Sequence, residues 1–263
     1  MADFVLARKS RNIASNLVHI FLNILLGISV VLITVFSGSP VLGFLLVLIS
    51  KWRMFAVRRR YLWLNIKANL VDIIFGMSMV LLSYYAGAEF QPIHVILMVL
   101  SIVWLLVIKP MSSENATLIQ AMFAVFFGIS ASTIMTANAD AVFAVLFAFL
   151  IGYASSRHVL SQTNSRDYTL TTLISGLIFA EVALLCHSWA IIYEINFPLK
   201  TGIRIPQAAI ILTVFTFVYN YVRQTMIRYQ DDFRFRDIVG PVLFGVILVG
   251  IIVIWFSDPM FNI

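Results

Sequence analysis

The chain has 263 residues, 61% of them apolar and only 11% charged, with a mean hydropathy of +0.98, a net charge of +6 and a pI of about 9.6. Soluble domains run nearer half apolar and a quarter charged, and disordered chains need low hydrophobicity and high charge, so both are excluded. The composition predicts one polytopic integral membrane domain over 1–263, all-α, with no soluble module.

Met1 to Ile20 sets basic residues before an apolar run, as a signal peptide does. The apolar stretch Leu17–Phe36 is 20 residues long, however, and no A-x-A-like site follows, so a retained first span is expected. A helix needs about 20 apolar residues to cross a bilayer. That ruler predicts nine spans: Leu17–Phe36, Pro40–Val57, Lys67–Ala86, Pro92–Ile108, Ala116–Ala137, Asp140–Ser156, Thr169–Tyr193, Pro206–Val222 and Ile238–Phe256. With the N-terminus inside and the C-terminus outside, all of the 18 Lys and Arg except Lys200 and Arg204 fall on the inner side, which is the positive-inside bias. Lys51 and Arg53 interrupt the second segment and are expected to snorkel from its inner end. Trp52, Tyr61, Trp63, Trp104, Trp189, Tyr193 and Tyr219 fall near predicted helix ends, as interfacial anchors do.

Asn16-Leu17-Val18-His19-Ile20 recurs as Asn69-Leu70-Val71-Asp72-Ile73 at an offset of 53, and Asn12 matches Asn65 at the same offset. Pro40, Pro92 and Pro206 each open a following segment, where a missing N–H costs nothing. These features predict helical hairpins over 12–60, 61–110, 115–166 and 167–236, closed by a last helix over 237–263.

Polar groups at membrane depth are costly and mark functional or packing positions. Asn65, Asn69, Asp72, Gly76 and Ser83 share one helical face, and Asn12, Asn16, His19, Asn23 and Gly27 form a related stripe on the first helix. His19 aligns with Asp72, which predicts a His–Asp pair carrying a proton or cation, amide glue between two helices, or a stripe that simply reaches the inner-leaflet headgroups. Glu181 is the deepest acid, a candidate proton or ion site or else a neutral, hydrogen-bonded structural residue, with Ile178, Leu185 and Ser188 on its face suggesting contact with another helix. The stretch from Arg223 to Asp237, with Arg228, Asp231, Asp232, Arg234 and Arg236, is the most charged inner loop. Together with Arg58, Arg59 and Arg60 it is the expected contact for anionic lipid headgroups or a partner.

Membrane enzymes fit poorly. Gly128-Ile129-Ser130-Ala131 resembles the nucleophile motif of the rhomboid proteases, but the glycine-rich histidine helix of that family is missing. Asp231, Asp232 and Asp237 lack the first acidic cluster with which aromatic prenyltransferases hold magnesium diphosphate. Cys186 is the single cysteine, so no cysteine metal site is expected. No P-loop or dinucleotide fingerprint occurs. The expectation is therefore a non-enzymatic protein of the plasma (inner) membrane, without cofactor, metal or nucleic acid. It would move a small solute or ion, or alternatively act as a scaffold or accessory subunit for lipids, another membrane protein or its own copies.

Overall fold

The structure is a computed structural model that describes residues 2–161, 168–189, 191–195, 203–229 and 234–255. Arg166, Lys200, Asp231, Asp232 and Ile263 lie outside the described residues, as do the side chains of Arg8, Lys9, Arg11, Asn12 and Arg53.

Helix α1 (Ala2–Ser37) ends at Gly38, whose φ of 59° reverses the chain. Ser39 caps α2 (Pro40–Ser50) by accepting from the Val41 N–H, with Pro40 in the first turn as expected. A single turn, α3 (Trp52–Phe55), leads to α4 (Arg59–Ala68) and α5 (Leu70–Tyr85), which bend by 62° at Asn69. Helix α6 (Pro92–Val103) starts at a Gln91–His94 capping box and continues into a π-helical turn, Trp104–Ile108. Ser113 caps α7 (Glu114–Thr136), and α8 (Ala141–Leu160) and α9 (Tyr168–Ser188) follow. Strands β1 (Ile192–Ile195) and β2 (Ile203–Pro206) pair antiparallel before α10 (Gln207–Arg228) and α11 (Arg236–Trp255).

Among the described residues, five helices are long and apolar enough to cross a membrane: α1 over Ser15–Ser37, α7, α8, α9 and α11; the bent α4–α5 pair makes a sixth if it is one span. The nine expected segments thus differ in kind. The second closes after 11 residues at Lys51, so α2 is about 17 Å long and falls short of a bilayer. The seventh stops at Ser188, and Tyr193 lies in a strand, because Ile192-Tyr193-Glu194-Ile195 is rich in residues that favour a pleated chain. Pro206 accordingly ends β2 and stands as the N-cap of α10, one residue before the helix it was expected to open.

Among the described residues, two large cores hold the helices, with a small third one of Leu118, Ala121 and Val159 between α7 and α8. Val31, Phe75, Met79, Val80, Leu97 and Trp104 pack α1, α2, α5 and α6 together, while Val125, Ile129, Ala148, Phe179 and Leu212 pack α7 to α10. Helices α5 and α7 join the two, α8 and α9 form the most extensive helix contact, and α11 rests chiefly on α10. Around the outside, large apolar residues such as Phe21, Phe36, Leu146, Leu150, Leu170, Leu185, Phe244 and Ile254 stand exposed. A belt of that extent suits lipid and not water.

Candidate functional site

Asp72 sits in the first turn of α5, where a helix N-terminus favours a carboxylate. Lys51 is the C-cap of α2, and Lys109 follows the π turn at the end of α6, so both ammonium groups stand at the negative ends of helices. The three meet. Lys51 and Lys109 both pair with Asp72 Oδ2, the latter at 2.7 Å, while Trp104 Nε1 donates to Oδ1 at 2.9 Å. The Lys51 and Asp72 side chains are 9% and 12% exposed, and that of Lys109 is 41% exposed. Trp104 stacks on Phe75 at 4.1 Å, and Phe75 meets Phe127 edge-on at 5.5 Å. One carboxylate therefore ties three helix ends together, with an aromatic stack behind it.

Above this cluster lies a cavity of about 40 Å³, lined by Gly27, Ser50, Gly76, Met79 and Ser101 among others. It has room for about two or three waters. Gly76 is needed here, because a Cβ on it would lie 2.8 Å from Val47 Cγ1.

A second polar network shares this lysine end of the bundle. Gln120 of α7 donates to the carbonyls of Ile108 and Met111 at 2.7 and 2.9 Å, closing the end of α6, and its Oε1 meets His158 Nε2 at 2.7 Å. Arg223 donates to Thr171 Oγ1 at 3.1 Å, and Arg228 pairs with Glu114.

At the opposite, hairpin end, His94 is fully buried. Its Nδ1 accepts from the Gln91 N–H at 3.0 Å, so Nε2 donates to Ser83 O at 3.1 Å. Beneath β1–β2 lies a cavity of about 400 Å³ between α5, α6 and α7, with Arg204 and Glu194 among its lining residues. Partial burial pushes the Tyr193 phenol above its ordinary pKa, against a hydrogen bond with Gln207.

The sequence-predicted residues are distributed unevenly over this frame. Asp72 is at its centre, but the partner is not His19, which is exposed on α1 together with Asn16; Asn23 is half-buried. Asn65 and Asn69 are half-buried at the α4–α5 bend, where Asn69 Nδ2 donates to Asn65 O at 2.9 Å. Glu181 is exposed on α9, and Leu185 and Ser188 on its face are exposed too, so the expected helix contact is absent among the described residues. Lys51 is paired and buried instead of snorkelling, and Trp104, at 2% exposure, is a core residue and not an interfacial anchor. Arg58, Arg59, Arg60, Arg228, Arg234 and Arg236 are all exposed. Gln120 and His158 belong to neither polar stripe, although a lone amide in an apolar helix carries the same signal as the asparagines.

Comparison with known proteins returns no match: no family model fits the chain, and neither a curated protein nor a solved structure is significantly similar.

Proposed function

We propose that this is an integral membrane protein that carries a small solute along the α5–α6 seam, with the lysine end facing the cytoplasm and the Lys51–Asp72–Lys109–Trp104 cluster as its closed inner gate. The observation that carries the reading is the pair of cavities on that seam, a broad one at the hairpin end and a water-sized one against Asp72. Helix irregularity supports it. The seam is flanked by the α4–α5 break and by the π turn at Trp104, and broken or π-bulged helices recur where transport proteins handle their cargo. On this reading the plasma membrane houses one domain of helical hairpins with nine passes, in which α6 with its π turn is a short crossing and α2 and α3 (40–55) together make the second pass. Arg58, Arg59 and Arg60 meet anionic headgroups beside the exposed Trp63 of α4.

The test is access to Ser101, which lines the inner cavity and is 5% exposed. With Cys186 replaced by Ala, Ser101→Cys in sealed vesicles is expected to react with a membrane-impermeant cationic thiol reagent applied from the hairpin side. A thiol inert from both sides ends the transport reading.

A second reading, an accessory subunit for lipid or another membrane helix, draws on one observation: an apolar groove of about 530 Å³ between α9, α10 and α11, lined by Val182, Phe215, Val218, Gly245 and Val249. An inert Ser101→Cys together with a stable copurifying subunit or lipid favours it.

A further inference from the structure

We propose that the cavity beneath the β1–β2 hairpin is a binding site for a zwitterionic amphiphile with an apolar body and no net charge, of the class of aromatic and large aliphatic α-amino acids. The inference deepens the transport reading by naming the substrate class of the seam, and it rests on three features of the cavity itself.

Its volume of about 400 Å³ is in the range of small-molecule sites, and its walls are apolar, with Leu97, Leu100, Phe126 and Phe127 among them. Such walls favour an apolar body over a hydrated ion.

Ser130 on α7 supplies the second feature. Thr34, Ser78, Ser83, Ser101, Thr136 and Thr216 each donate to the carbonyl four residues back, the usual outlet for a hydroxyl inside a helix. Ser130 does not. It is 3% exposed, its Oγ has no hydrogen-bond partner, and it lines the cavity. A buried hydroxyl left without a partner is destabilising, and a polar atom on a bound molecule removes that cost.

The head group follows from Arg204 and Glu194. They are register partners across the two strands, both line the cavity, and they form a loose pair at 3.9 Å with side chains 58% and 46% exposed. A monoanion drawn to the guanidinium would sit beside the Glu194 carboxylate, and a monocation drawn to Glu194 would sit beside Arg204. Both arrangements add like-charge repulsion. A zwitterion inserted between them gives its carboxylate to Arg204 and its ammonium to Glu194, leaving neither charge unmatched.

The test uses purified protein in nanodiscs and equilibrium dialysis with radiolabelled L-tyrosine, competed by L-phenylalanine, octanoate and octylamine. L-Tyrosine is expected to bind. L-Phenylalanine should compete about fivefold less well for want of the hydroxyl, and the two singly charged probes about tenfold less well or worse. Ser130→Ala is expected to abolish the tyrosine-over-phenylalanine preference. Glu194→Gln should weaken tyrosine while strengthening octanoate, and Arg204→Gln should do the same for octylamine. Both rim side chains are exposed, so these variants leave the packed core untouched. Absence of tyrosine binding overturns the proposal, as does octanoate binding equal to tyrosine and indifferent to Glu194→Gln. Dialysis measures no flux, so tyrosine binding with an inert Ser101→Cys keeps the site and ends transport. A reactive Ser101→Cys without tyrosine binding ends the site alone.

Discussion

Neutralising Asp72 tests the cluster that closes the lysine end. Asp72→Asn keeps the shape and still offers Trp104 Nε1 an oxygen, so the loss falls on the two ammonium groups. Lys109, at 41% exposure, can turn toward water or headgroups, whereas Lys51, at 9%, loses its counter-charge and must either stay charged unpaired or give up its proton. Removing one member of a buried ion pair costs about 3–5 kcal/mol, and the freedom of Lys109 sets the expectation near the lower figure, about 3 kcal/mol. The double variant Asp72→Asn with Lys51→Met removes the stranded charge as well. It should return to within about 1 kcal/mol of the wild type, because an apolar replacement of a buried pair is commonly neutral. Equilibrium unfolding in mixed micelles with increasing sodium dodecyl sulfate, followed by tryptophan fluorescence, reads both values. The reasoning fails if the single variant loses less than about 1 kcal/mol, or if the double variant is no more stable than the single.

Four further outcomes are expected. Gly152→Ala puts a Cβ 2.4 Å from Cγ of the fully buried Phe179 and should cost about 1–3 kcal/mol in the same unfolding assay, while Gly250→Ala, with nothing within 4 Å, should cost nothing. His94→Leu strands the Gln91 N–H and the Ser83 carbonyl, lowering stability by about 1–3 kcal/mol; an unchanged transition would show that both groups reach water. Glu114→Gln removes the exposed pairing with Arg228 and a carboxylate in the first turn of α7, and should cost less than about 1 kcal/mol in the same assay. A reporter fused after Ile263 should read from the side opposite the cytoplasm, and a cytosolic signal would overturn the nine-pass topology proposed above.

Composition and apolar run length were enough to place α7, α8 and α11 within a few residues, because a long apolar helix needs no tertiary partner to declare itself. They failed where two physical solutions compete for the same residues. Ile192 to Ile195 continues the apolar run of α9, yet β-branched and aromatic side chains suit a strand equally well, and only the pairing with Ile203 to Pro206 decides. The site divides in the same way. Asp72 was legible as a carboxylate inside an apolar stretch, but its partners were not. Lys51 and Lys109 lie 21 and 37 residues away at helix ends, where a lysine ordinarily reaches for headgroups. The local match between His19 and Asp72 was a register in sequence with no counterpart in space. Glu181 looked deep because it is central in its helix, and depth along an axis says nothing about which way a face turns.

The unequal helices carry a mechanical consequence for the surrounding lipid. Helix α5 has 16 residues and α6 with its π turn 17, against 23 in α7 and 22 in α10. At about 1.5 Å per residue α5 and α6 each offer about 25 Å of height, and α7 and α10 about 33–35 Å, on either side of a hydrocarbon core about 30 Å thick. On the nine-pass topology proposed above, acyl chains bordering α5 and α6 shorten while those bordering α7 and α10 stretch, at a fraction of a kcal/mol per Å. On that topology the protein tilts the local thickness of its host membrane, and short-chain phospholipid should gather on the thin flank.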